Sequence, residues 1–155
     1  VGKQRKETDI MPMKKIRVEI SQGLGFKTEC KAGNHTVVID QPTAAGGTDA
    51  GPTPLDYQLI TLGGCLAAIG RIIANQRRLP IRGMKVTVDG ELDTDRLLGK
   101  TAQVRAGFSM IKATVDIDAD LPREEKVRLL REIDERCPIS DNLQNPASIQ
   151  IVLAG

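Results

Sequence analysis

Aromatic side chains are almost missing from this 155-residue sequence: Phe26, Phe108 and Tyr57 are the whole set. That weighs against single-stranded nucleic-acid binding, which stacks bases on aromatic rings. Histidine is equally scarce, with His35 alone. A zinc site needing two histidines is excluded, and a serine–histidine hydrolase would hang on one residue. No Gly-x-Ser-x-Gly motif accompanies it. Charge of one sign is also lacking. The 22 basic and 20 acidic residues leave a net charge of +2, so no strong field draws in a polyanion. No run approaches the ~18 apolar residues of a membrane span. Residues Val1 to Asp9 are polar, without the apolar heart of a signal peptide. Three cysteines, an odd number, speak against a secreted disulfide scaffold. The expectation is a cytoplasmic protein with reduced thiols, partnering neither nucleic acid nor membrane.

What is present is a globular mixture, 40% apolar and 27% charged, enough for one buried core without staples. Residues 1–12 read as a solvated tail and residues 13–155 as a single domain. Lys15 to Ile20 alternates with period two, placing Ile16, Val18 and Ile20 on one face. Phe26, Thr28 and Cys30 alternate likewise. Gly33-Asn34 signals a hairpin before a strand from His35 to Ile39, so an antiparallel meander is predicted. Residues 41–53 are a loop by composition. A long helix then opens with Thr53 as N-cap, Pro54 at the first helical position and Asp56 in the first turn. Leu55, Leu59, Leu62, Leu66, Ile69 and Ile73 form one apolar stripe on it, and Pro80 closes it. Met84 to Leu92 reads as a strand, 93–101 as a loop and 102–119 as extended. A helix from Pro122 to about Arg136 uses Val127, Leu130 and Ile133 as its apolar face. A short helix from Pro138 to Leu143 and a last strand from Ile149 to Leu153 follow. This order is α+β, not the alternation of a doubly wound sheet.

Two motif fragments lead nowhere. Gly99-Lys100-Thr101 ends like a phosphate loop, but Thr94 stands where its first glycine belongs. Asp116, Asp118 and Asp120 begin like a calcium loop, yet Leu121 and Val127 occupy the glycine and glutamate positions. Alternation with Val115, Ile117 and Ala119 makes the three aspartates the wet face of a strand.

The cysteines carry more. Cys65 lies inside the long helix behind Gly63 and Gly64. Each interior glycine costs roughly 1 kcal/mol of helix propensity, so the pair implies close approach by another backbone or subunit. Cys65 is then either a small buried filler or a reactive thiol. Cys137 precedes Pro138, which would make it the N-cap of the short helix. There it faces unpaired N–H groups that favour a thiolate, or it is a cap without chemistry. Cys30 reads as core or incidental.

Two segments together resemble the OsmC/Ohr family, named for osmotically inducible protein C and the organic hydroperoxide resistance protein. One is Gly51-Pro52-Thr53-Pro54 followed by Leu59-Ile60-Thr61-Leu62-Gly63-Gly64-Cys65-Leu66-Ala67, similar to the family's Pro-led helix with a reactive cysteine. The other is Cys137-Pro138-Ile139-Ser140, similar to its second cysteine. The resemblance implies an OsmC-like fold with antiparallel sheets around a long central helix, in an intertwined homodimer. It implies a thiol-dependent peroxidase acting on organic hydroperoxides or hydrogen peroxide, with Cys65 as peroxidatic and Cys137 as resolving cysteine. An external dithiol would be the reductant, and no metal or other bound cofactor is implied. The alternative is a non-catalytic dimer of that fold holding a small apolar ligand. In the hydroperoxide-reductase branch a glutamate follows the proline and an arginine from the N-terminal half activates the thiolate. Here Leu55 stands at the first position, with Asp56 next, where it either substitutes or completes the cap. Arg17 is the one arginine between the tail and Arg71.

Overall fold

The structure, a computed structural model, describes residues 13–155. The tail expected over residues 1–12 lies outside the described residues. The chain divides into two compact units, one running to Pro54 and the other from Leu55 to Gly155.

The first unit is the predicted meander. Strands β1 (Glu19–Gln22), β2 (Thr28–Ala32) and β3 (His35–Ile39) form an antiparallel sheet in that order. Ile20 stands opposite Cys30, which stands opposite Val37. Ala32 pairs with His35 across Gly33-Asn34, and Gly33 alone of these two has positive φ, at 59°. That is the signature of a type II′ hairpin turn. Ile16 and Val18 fall outside β1, and all of β1 is exposed.

The loop that follows is far from featureless. Asp40, 1% exposed, gathers four donors onto its carboxylate: the backbone N–H groups of Gln41, Thr48 and Ala50 and the Thr48 hydroxyl. These bonds, the Thr48 hydroxyl foremost, hold its pKa down to about 2. A Cβ at Gly47 would run into the Gln41 carbonyl, and one at Gly51 into that of Val38. Only glycine lets the chain fold back so tightly there.

In the second unit, helix α1 (Pro54–Arg77) lies within a residue or two of its predicted span. By length and composition it could cross a membrane, but its stripe is a core face: Leu62, Leu66, Gly70, Ile73 and Ala74 are buried. Strands β4 (Ile81–Glu91) and β5 (Met110–Ala119) pair antiparallel, Met84 opposite Ile117 and Val86 opposite Val115. A Cβ at Gly63 would touch Val86 and Val88, and one at Gly70 would overlap Met84. The expected close approach to α1 is therefore made by β4, at Gly63 and Gly70. Among the described residues nothing lies within 4 Å of a Cβ at Gly64.

Helix α3 (Arg123–Glu135) matches its predicted range, with a different inner face. Leu129 and Ile133 are buried, whereas Val127 and Leu130 stay partly exposed. The next turn, α4 (Pro138–Gln144), begins as expected at Pro138. Three expectations fail. Residues 94–97 form a one-turn helix, α2 (Thr94–Leu97), because the Asp93 carboxylate caps the Asp95 N–H. Residues 102–109 are bends rather than strand, and Ile149 to Leu153 form no strand at all. Ile149, Ile151, Val152 and Leu153 are all highly exposed, Leu153 at 99%. Among the described residues their alternation meets no strand to pair with.

Candidate active site

Helix α1 places Cys65 at its middle, on the edge of its buried face. The core around it is apolar: Leu62, Leu66, Ile133, Ile139 and Leu143 belong to the cluster that packs Cys65 and Cys137. Cys137 caps α4, since its Sγ accepts the Ser140 N–H at 3.4 Å and Pro138 takes the first helical position, where no N–H is wanted. Its own N–H donates to the Asp134 carbonyl at 3.1 Å, and its carbonyl accepts the Asp141 N–H at 3.0 Å.

These two anchorings bring the cysteines together. The Cys137 thiol hydrogen-bonds the Cys65 sulfur, Sγ to Sγ 2.8 Å, within one chain. Cys137 is 1% exposed and Cys65 is partly exposed, so an incoming reagent meets Cys65 first. Burial pushes the Cys65 thiol above its ordinary range, and the hydrogen bond and charge of Cys137 push the same way. The Ile139 backbone N–H pulls in the opposite direction. Among the described residues this is the group that favours a thiolate at Cys65.

The other sequence candidates lie elsewhere. Cys30 sits on β2 between Ile20 and Val37. Arg17, in the first unit, ion-pairs with Glu19 at 3.1 Å. Among the described residues no cluster of three or more His, Cys, Asp or Glu could hold a metal ion.

Ser140 of the Cys137-Pro138-Ile139-Ser140 motif completes the site together with Asp134 and Gln144, which sequence reasoning passed over. The Ser140 hydroxyl, buried with its residue, donates to the Asp134 carboxylate at 2.5 Å and accepts from Gln144 Nε2 at 2.9 Å. Behind them Arg136 reaches Gln76 of α1 at 3.1 Å and Glu132 at 3.2 Å, while Arg77 pairs with Glu132 at 2.7 Å. The turn carrying Cys137 is thus tied to the helix carrying Cys65. A serine three residues after a capping cysteine was the available signal. A pair of sulfurs at this distance can exchange a shared proton, and on oxidation needs to close only to about 2.05 Å to bond.

A profile of the OsmC-like protein family matches residues 47–152. No curated protein sequence is a significant match. Among solved structures, an OsmC-like protein from Mycoplasma pneumoniae superposes with a TM-score of 0.75 at 19% identity, covering 86% of this chain and 89% of that one. An organic hydroperoxide resistance protein OsmC from Legionella pneumophila gives 0.64 at 18% identity over 86% and 92%. An organic hydroperoxide resistance protein from Elizabethkingia anophelis gives 0.66 at 15% identity over 88% and 93%. At such identities the likeness is one of fold.

Proposed function

Because the chain belongs to the OsmC-like protein family, we propose that it is a thiol-dependent peroxidase that reduces organic hydroperoxides with Cys65 and Cys137. The observation that carries this reading is the 2.8 Å Sγ–Sγ contact, with the more accessible sulfur on α1 and the buried one capping α4. Two relatives in fold are named for organic hydroperoxide resistance. The juxtaposed thiols favour redox chemistry over a non-catalytic ligand-binding dimer, which has no use for a second sulfur.

In the proposed cycle the Cys65 thiolate attacks one peroxide oxygen and the O–O bond breaks. The alcohol leaves with a proton, and Cys65 becomes a sulfenic acid. The Cys137 sulfur then attacks Cys65, the S–O bond breaks and water departs, leaving a disulfide. Two thiols have lost two electrons to the peroxide. An external dithiol returns them by exchange, and no bound cofactor takes part in these steps. The Ile139 N–H supports negative charge on the Cys65 sulfur.

We propose further that the working form is a cytoplasmic homodimer. On α1, Ile60 and Ile72 are exposed and flank the exposed Gly64 and Ala68 at intervals of four, one uncovered apolar stripe. Exposed Ile149, Ile151 and Leu153 alternate as a strand in need of a neighbour. A second copy would cover both.

Intact-mass analysis after one equivalent of cumene hydroperoxide tests the reading. Wild type should lose two mass units. Cys137→Ser should stop at a sulfenic acid that dimedone traps, and Cys65→Ser should not react. Thiols oxidising no faster than free cysteine would overturn it.

A further inference from the structure

Ser140 and Asp40 are the buried polar residues among those described, and Ser140 lies against the redox pair. Its backbone N–H points at Cys137 Sγ, and its hydroxyl bridges Asp134 and Gln144. Asp134 holds the same turn a second time, through its carbonyl to the Cys137 N–H. One residue at the end of α3 therefore grips both ends of the Cys137–Ser140 turn.

We propose that Asp134 and Ser140 are positioning residues that set the rate of the resolving step by holding Cys137 Sγ against Cys65. The inference rests on the peroxidase reading for its biological setting, though its geometry does not. In the resolving step Cys65–SOH and Cys137–SH become a disulfide and water. The new S–S bond forms as the S–O bond breaks, and the Cys137 proton leaves with the oxygen. Such a displacement needs the incoming sulfur opposite the departing oxygen, where a displacement of about 1 Å can cost a hundredfold in rate. Cys137 has little freedom to search, being 1% exposed. Its side-chain direction is set by the Ser140 N–H, and that amide is oriented by the hydroxyl's bond to Asp134. None of these bonds is made to Cys65 itself, so sulfenic acid formation depends on them only through the placing of Cys137 and Ile139.

The test separates the two steps. In stopped-flow with cumene hydroperoxide, Ser140→Ala should close the disulfide about tenfold or more slowly, a larger loss than any change in sulfenic acid formation, so that dimedone traps an intermediate. Asp134→Leu at its exposed position should do the same, whereas Asp134→Asn, which keeps an acceptor oxygen, should restore closure. A purely structural role would slow both steps to the same extent. That result, or unchanged closure in Ser140→Ala and Asp134→Leu, overturns the proposal. Diamide, an azo oxidant that closes dithiols without any peroxide, keeps the two readings apart. If wild type ignores peroxide, the peroxidase reading fails, while slower diamide closure in the variants still upholds the clamp and equal closure still overturns it.

Discussion

The thioether end of Met84 on β4 occupies the place where a Cβ of Gly70 on α1 would stand. The Met84 side chain fills the space left by the missing Cβ, five residues along the helix from Cys65. Ile133 of α3, 0% exposed, closes on the same spot. Gly70→Val must displace the Met84 thioether and press on Ile133, and should destabilise by about 1–3 kcal/mol. At roughly 2–4 °C per kcal/mol for a chain of this size, calorimetry should show a Tm lower by several degrees. Met84→Ala in the same background should recover part of the loss, the mark of a shared contact. Additive effects would contradict it.

The raised proton affinity of Cys65 has a definite sign in kinetics. The thiolate is the reactive form, so alkylation by iodoacetamide should keep climbing with pH beyond the ordinary thiol range near about 8.5. Burial is the larger cause and Cys137 the next. Cys137→Ala should therefore move the inflection to lower pH without bringing it below the ordinary thiol range. An inflection that stays in place would show that Cys137 has no hold on the Cys65 proton.

Gly64 separates the chain from its proposed assembly. Among the described residues nothing lies within 4 Å of its Cβ position, so Gly64→Leu is free of clash within the unit and gains helix propensity of roughly 1 kcal/mol. If a second copy covers the Ile60–Ile72 stripe, the variant should be a folded monomer by light scattering. A variant that remains a dimer would remove Gly64 from the interface.

How much of this was legible in the sequence varies with the range of the interaction. The Thr53-Pro54 start, the leucine stripe and the Cys137-Pro138 cap are local signals, and α1 and α4 begin where they indicate. The pairing of Cys65 with Cys137 was not local at all. It came from a resemblance, because no periodicity spans 72 positions. The last strand failed for a related reason: Ile149, Ile151 and Leu153 alternate correctly, but alternation chooses faces and cannot supply a neighbour. The inner face of α3 was misplaced because Val127, Leu130 and Ile133 form a valid stripe, and only the packed neighbours decide for Leu129. Asp40 was hidden because loop composition announces turns without saying that one carboxylate will collect donors from residues 41, 48 and 50.

That carboxylate makes the loop before α1 testable. Asp40→Ala leaves the Gln41, Thr48 and Ala50 amides without their acceptor, and their hydrogen exchange should quicken by about tenfold or more, the scale of a lost charge-assisted bond. The folded pKa of about 2 lies below the ordinary aspartate value of 3.8. The contribution is therefore complete above about pH 4 and lost as pH falls through about 2. In wild type the loop should stay protected at pH 5. Equal exchange in Asp40→Ala would show that the glycines and backbone bonds hold the loop unaided.

The 72-residue separation of the two sulfurs also ties oxidation to folding. A bond between them would make a ring of half of α1, both long strands and α3, and a ring that size deprives the unfolded chain of roughly 4 kcal/mol of freedom. Around a closed thermodynamic cycle the same quantity appears twice. Oxidation makes the native state harder to unravel, and the native state makes the disulfide harder to reduce. Each turnover would therefore swing the molecule between a tighter and a looser thermodynamic state. The dithiol that completes the cycle must act on the tighter one.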